Sequence, residues 1–195
     1  MTRWIVLAAL VTAIGQSLDS AQLPRVVIVT EEGEIELQVD ASRAPGTAAN
    51  FLRYVDAGLY DGGRFHRAVK VRPDNQPQNA VKIEVIQAGA DPARAMQFFP
   101  AIRLERTSTT GLAHADGVVS MARAQADTAR DGFFICIGEQ PELDFGGKRN
   151  ADGQGFAAFG RVVSGMDVVR KIHLSPASGQ NLTPPVRITR ARRLK

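Results

Sequence analysis

From residue 25 the apolar positions recur with a period of two. The segments "RVVIVT" and "GEIELQV" flank the acidic turn "EEG", and Ile35, Leu37 and Val39 alternate with Glu34, Glu36 and Gln38. That pattern predicts a β-hairpin with one buried face. The period then changes. In "APGTAANFLRYVDAGLYDGG" residues Ala48, Phe51, Leu52 and Val55 fall at i, i+3, i+4 and i+7, with Pro45 near the start and Gly58 where a helix would end. This is an amphipathic helix lying on an apolar surface. From Arg64 onward, short strand-like pieces return: "RFHRAV", "VKIEVIQAG", "AIRLE", "GVVSMARA", "GFFICIG" and "GFAAFGRVV". The fifth is apolar on both sides, which predicts a strand buried on both faces. A second helix is expected in "SGMDVVRKIHL", with Ser164 as N-cap and Met166, Val169 and Ile172 along one side, and "PVRITRARRL" reads as the last strand. Many short strands punctuated by glycine, with two helices, predict a closed, mainly β sheet or barrel.

Composition adds boundaries. The 195 residues, 44% hydrophobic and 23% charged, fit one globular domain able to bury a core without disulfide staples. The net charge of +4 is spread along the chain, and only "RITRARRLK" is locally basic. Its alternation fits a strand with a solvated charged face, so no nucleic-acid partner is expected. At the start, Arg3 precedes an uninterrupted apolar run from Trp4 to Ile14, followed by small and polar residues. The run is too short to span a bilayer and has the length of a secretory signal, with cleavage after Gly15 or after Ala21; a buried first strand is the alternative. On that reading residues 1–21 are the signal peptide, residues 22–195 the mature domain, and the protein is periplasmic or secreted, with no stable membrane insertion. The single cysteine, Cys136, cannot form an internal disulfide and reads as packing.

The three histidines are far apart and no Cys/His/Asp/Glu spacing suggests a metal site, so neither a metal nor another cofactor is expected. There is no Gly-x-Ser-x-Gly elbow and no phosphate-binding glycine loop. What stands out is polar residues in apolar strands: Arg67 in "FHRAV", Gln87 in "VIQAG" and Ser120 in "VVSMARA".

These residues sit in a recognisable series. "RFHR", "IQAGAD", "GVVSMARA", "GFFICIG", "ELDF" and "FAAFGRVVSGMDVV" occur in an order that resembles the cyclophilin-type peptidyl-prolyl isomerases, over about Val26 to Ile188. The resemblance implies an eight-stranded antiparallel barrel capped by two α-helices. It also implies roles. Arg67 matches the family's catalytic arginine, Gln87 its active-site glutamine and Phe134 the aromatic of the proline pocket, with Phe133 in the core. Ala122, Leu143, Phe156 and Val85 match positions that line the substrate groove. The implied partners are proline-containing polypeptides, and the protein is expected to be a monomer.

The chain also departs from the family pattern. Glu84 and Val85 stand where Phe and Met are usual, Glu142 where the rim is commonly Trp, and Phe156 where the far wall has His or Tyr. The stretch "VKVRPDNQPQNAVK" adds about a dozen residues between Arg67 and Gln87, and its Pro, Asn and Gln content predicts an exposed loop that adds little to the core. "GGKRNADGQG" is likewise longer than a minimal turn. The expected function is isomerisation of X–Pro bonds. The competing reading is a low-activity binding module or chaperone for proline-containing segments, favoured by Glu84, Val85 and Glu142 against the retained Arg67, Gln87 and Phe134.

Overall fold

Eight strands pair in a ring. In a computed structural model, which describes residues 23–194, the strands are β1 (Arg25–Thr30), β2 (Gly33–Val39), β3 (Arg64–Val69), β4 (Val85–Gly89), β5 (Val118–Met121), β6 (Phe133–Cys136), β7 (Ala157–Ser164), β8 (Ala177–Ser178) and β9 (Asn181–Arg193). The helices are α1 (Pro45–Asp56), the single turn α2 (Thr107–Thr110) and α3 (Met166–Leu174). The order round the sheet is β1-β2-β7-β5-β6-β4-β3-β9, every pairing is antiparallel, and β9 returns to β1, which leaves no open edge among these strands. The two-residue β8 pairs with β9 outside the barrel. The expected signal peptide, residues 1–21, lies outside the described residues, and no described helix is long and apolar enough to cross a membrane.

The barrel is filled by the inward half of each alternating strand. Phe65, Ile86, Phe133 and Phe159 are fully buried there, and Phe51 of α1 packs its ring 5.5 Å from Phe133 and 5.0 Å from Phe159. Each such side chain contributes about 1.5–3 kcal/mol by leaving water. From α3, Val169 and Ile172 join the same core, so both long helices seal the barrel. The N-terminus of α1 has no cap from Ala44; instead Glu105, from a distant loop, accepts the amides of Gly46 at 3.0 Å and Thr47 at 2.7 Å. In β9, Val186, Ile188 and Ala191 are buried between exposed arginines, the solvated charged face that the alternation predicts.

Four local expectations differ from what forms. "AIRLE" makes only one isolated bridge, Ile102 to Ala129. In "VKIEVIQAG" the strand begins at Val85, because the backbone of Ile83 and the amide of Glu84 bond to the side chains of Gln76 and Gln140 instead of to a strand. Ser164 is the last residue of β7, paired with Glu36, and the N-cap of α3 is Gly165 at φ +88°. A Cβ there would collide with the Glu34 carbonyl, so glycine alone permits the strand to turn into the helix. The inserted segment between Val71 and Val81, expected to be an exposed loop, is tied down by two of its own side chains: Asn75 is 5% exposed and Gln76 0%.

Candidate active site

The outward faces of β3, β4 and β6 carry a second apolar cluster, in which Val69, Val85, Phe134 and Cys136 are joined by Ile83 and Leu143, with Ala122 and Phe156 packed against it. Alternation explains the double apolarity of "GFFICIG": Phe133 and Ile135 face the barrel core, and Phe134 and Cys136 face this outer cluster. Burial pushes the Cys136 thiol far up, so it is a packing residue and no nucleophile.

Alternation alone would have sent Arg67 inward. Phe65 and Ala68 both point into the core, three positions apart, and the register shifts between Phe65 and Arg67 so that His66 and Arg67 together oppose Gln87. This β-bulge turns the arginine to the outer face. The register then continues from Gln87 to Phe134 and from Phe134 to Ser120, placing Arg67, Gln87, Phe134 and Ser120 in one row across four strands.

Arg67 is oriented by neutral acceptors. Its Nη1 donates to Gln87 Oε1 at 3.0 Å, its Nε to Gln180 Oε1 at 2.7 Å, and its Nη2 to the same Gln180 oxygen. Among the described residues no carboxylate pairs with it. Partial burial lowers its pKa, yet a guanidinium starts high enough to stay charged at neutral pH. Gln180 sits in the β8–β9 turn and donates in turn to the Asn75 carbonyl at 2.6 Å, while Asn75 Nδ2 donates to the Gly179 carbonyl at 2.7 Å. The inserted segment thus supports the turn that aims Arg67.

Phe134 is held on two sides. The His114 ring stacks on it, with centroids 5.9 Å apart, and Phe156 meets it edge-on at 5.2 Å. His114 Nδ1 lies 2.6 Å from Asp144 Oδ1, and its Nε2 lies 2.9 Å from Ser120 Oγ. Ser, His and Asp in this sequence resemble a hydrolytic triad, but Ser120 is fully buried and offers no reachable hydroxyl. The three fix the ring against which Phe134 rests. Phe156 is fixed by Gly155, at φ +65°, where a Cβ would strike the backbone of Leu143 and Asp144; that close approach lets the Phe156 amide donate to the Leu143 carbonyl at 2.9 Å. The Arg123 guanidinium lies 5.2 Å over the Phe156 ring, bonds the Gly155 carbonyl and forks onto Asp152 at 2.8 and 2.9 Å. Those bonds hold the exposed Asp152 carboxyl down at about 2.

A cavity of about 280 Å³ opens between these groups, and all seven sequence-predicted site residues, Arg67, Gln87, Phe134, Ala122, Leu143, Phe156 and Val85, line it. The structure adds Ile83, Asn79, Arg123, Arg149 and Asn150 to its walls. No pattern in the sequence marked these, or Gln180, because each arrives from a loop whose partner lies far along the chain. The two glutamates at altered positions do not enter the lining. Glu84 accepts the Val71 amide at 3.3 Å and Glu142 the Lys148 amide at 2.7 Å. Among the described residues no group of three or more His, Cys, Asp or Glu could hold a metal ion. The arrangement is an apolar wall of Ile83, Val85, Phe134, Leu143 and Phe156 rimmed by arginines and side-chain amides, with Arg67 and Gln87 in one row with Phe134, suited to gripping a small apolar ring and donating hydrogen bonds to polar atoms beside it.

Residues 25–193 match the family described as "Cyclophilin type peptidyl-prolyl cis-trans isomerase/CLD". The chain is 31% identical, over 92% of its length and 88% of the relative's, to "Peptidyl-prolyl cis-trans isomerase A" of Dickeya dadantii. It is 32% identical to "Peptidyl-prolyl cis-trans isomerase B" of Escherichia coli over 75% of this chain and 82% of that protein. In fold it is similar to a Cryptosporidium parvum cyclophilin type peptidyl-prolyl cis-trans isomerase solved in the presence of the dipeptide Ala-Pro. The TM-score is 0.69 at 20% identity, covering 88% of this chain and 99% of that one.

Proposed function

The chain belongs to the cyclophilin-type peptidyl-prolyl cis-trans isomerases, and from that membership we infer that it accelerates rotation about X–Pro bonds, with Arg67 as the group that acts on the twisting amide. Amide resonance sets a barrier of about 18–20 kcal/mol, so the uncatalysed rotation takes tens of seconds. No covalent bond breaks. As the amide twists, conjugation is lost, the prolyl nitrogen becomes pyramidal and its lone pair becomes an acceptor. An N–H aimed at that nitrogen stabilises the twisted state and does little for the planar one. Arg67 is suited to this because both its partners are neutral amide oxygens, which orient the guanidinium without matching its charge.

Phe134, Leu143, Phe156 and Val85 form the apolar wall that would take the proline ring, and Ala122 lines the groove beside it. Gln87, whose Oε1 accepts from Arg67, keeps its amide hydrogens for the carbonyl preceding the proline. Raising a step from about 0.01 to about 100 per second requires about 5.5 kcal/mol of differential stabilisation, within the reach of a charged donor in a dry pocket. The observation that carries the assignment is the bulge at His66, which places an uncompensated guanidinium at the lip of the Phe134 pocket. Exchange NMR on a short Ala-Pro peptide tests it; a protein that leaves the cis–trans exchange rate unchanged is no isomerase.

The substrates are proline-containing polypeptides. We further propose that the protein acts as a monomer, without nucleic acid, in the periplasm or outside the cell. The Arg3-led apolar run from Trp4 to Ile14 supports export, with removal after Gly15 or Ala21.

A further inference from the structure

Among the described residues, three arginines and no carboxylate line the cavity. Arg123 is neutralised by its fork onto Asp152. Arg149 is not: its Nη1 donates to Gln76 Oε1 at 2.8 Å and to the Val81 carbonyl at 2.7 Å, both uncharged acceptors. Arg67 and Arg149 line the same cavity, so two like charges share it, and partial burial with the nearby charge of Arg67 lowers the Arg149 pKa. Next in the chain, Asn150 also lines the cavity, and its buried Nδ2 has no hydrogen-bond acceptor. Glu84 and Glu142 spend their carboxylates on backbone amides outside the lining, and Asp152, close in sequence, is held by Arg123.

A proline ring requires none of this. Its side chain is apolar, and the amide beside it is already served by Arg67 and Gln87. A half-buried guanidinium that shares a cavity with another is unfavourable until an anion enters. One carboxylate removes that deficit by pairing with Arg149. We propose that Arg149, with Asn150 beside it, makes this pocket select X–Pro segments that carry an Asp or Glu side chain next to the proline. This specificity rests on the isomerase reading and narrows its substrate class.

The test uses peptides acetylated and amidated at their ends, so that no terminal carboxylate competes, with Glu or Gln at each of the two residues on either side of Ala-Pro. Exchange NMR reads kcat/KM and titration reads affinity. At one position at least, Glu is expected to exceed Gln about tenfold, as one charge-assisted contact predicts. Arg149→Gln should bring the Glu:Gln ratio to about one, whatever it does to the absolute rate, and Arg149→Lys should keep part of it. Because Arg149 also anchors the neighbouring loop, the intact protein provides a second arm: raising ionic strength from about 0.05 to about 0.5 M should shrink the ratio severalfold. A wild-type ratio of one at every position, or an undiminished ratio in Arg149→Gln, overturns the proposal. If neither peptide is turned over, the isomerase reading fails, and the affinity ratio still decides the acidic preference.

Discussion

A guanidinium at the edge of an apolar bowl is costly to desolvate, so its surroundings report what it is for. Among the described residues Arg67 has two neutral acceptors and no carboxylate, an arrangement that stabilises the fold little and leaves the charge available. Arg67→Ala should therefore lower kcat/KM by about 10² or more, about 3 kcal/mol, with little change in peptide affinity. Phe134→Ala should instead empty the pocket and weaken affinity and rate together. Exchange NMR and peptide titration on the pair separate the two effects; an Arg67→Ala protein as active as wild type would sink the catalytic assignment. The adjacent His66, extruded by the bulge, makes a different prediction. Burial, then the charges of Arg67 and Arg64, hold its pKa below 6.5 in the folded state, outweighing the hydrogen bond to the Arg64 backbone and the charge of Asp131, which raise it. The unfolded chain takes up this proton first as pH falls, so stability should decline as the pH drops below about 6.5 and level off beneath the folded pKa. Thermal melts between about pH 7.5 and 5.5 should show that slope, and His66→Gln should flatten part of it.

At the scale of elements, alternation identified most of the barrel strands and both long helices, since burying one face imposes a period that the sequence has to carry. It could not reveal the bulge at His66, because one extra residue in a strand of six leaves the local pattern looking ordinary while reversing the direction of everything after it. The resemblance supplied Arg67, Gln87 and Phe134 as candidates; only pairing register explains why all three face outward. The inserted segment is largely the exposed loop that its composition predicts, but it carries two buried anchors that composition did not mark. Polar composition suggests solvent, but the side chains of Asn75 and Gln76 take the place of missing strand neighbours. Gln76 Nε2 donates to the carbonyls of Lys70 and Ile83, at 2.9 and 2.8 Å, and Asn75 Oδ1 accepts the Lys70 amide at 2.8 Å. Gln76→Ala should thus strand several buried backbone groups and cost about 2–4 kcal/mol, a fall in Tm of roughly 5–12 °C. Calorimetry checks this: an unchanged Tm would return the segment to the status of a surface loop. Because Asn75 also supports Gln180, the same variant should lose activity beyond what its stability explains.

At the scale of the molecule, two apolar clusters divide the labour. The barrel interior, sealed by α1 and α3, sets stability, and the smaller outer cluster around Phe134 builds the pocket. Changes to the pocket can therefore alter the chemistry while the barrel survives, which is what makes the Arg67 and Arg149 variants informative. Residues 22–195, the mature domain expected if the leader is removed, hold both clusters and contain no tryptophan, since Trp4 is the only one in the chain. Export with removal of the leader then has an optical consequence. The protein recovered from the cell envelope should lack indole emission and show only that of Tyr54 and Tyr60, both buried in the core. Its intact mass should match cleavage after Gly15 or Ala21. Tryptophan emission from that fraction would mean that Trp4 stayed on, and a full-length species confined to the cytoplasm would remove the periplasmic assignment. Either result would leave the isomerase site untouched, because every residue that builds it lies between Arg67 and Gln180, well inside the barrel domain.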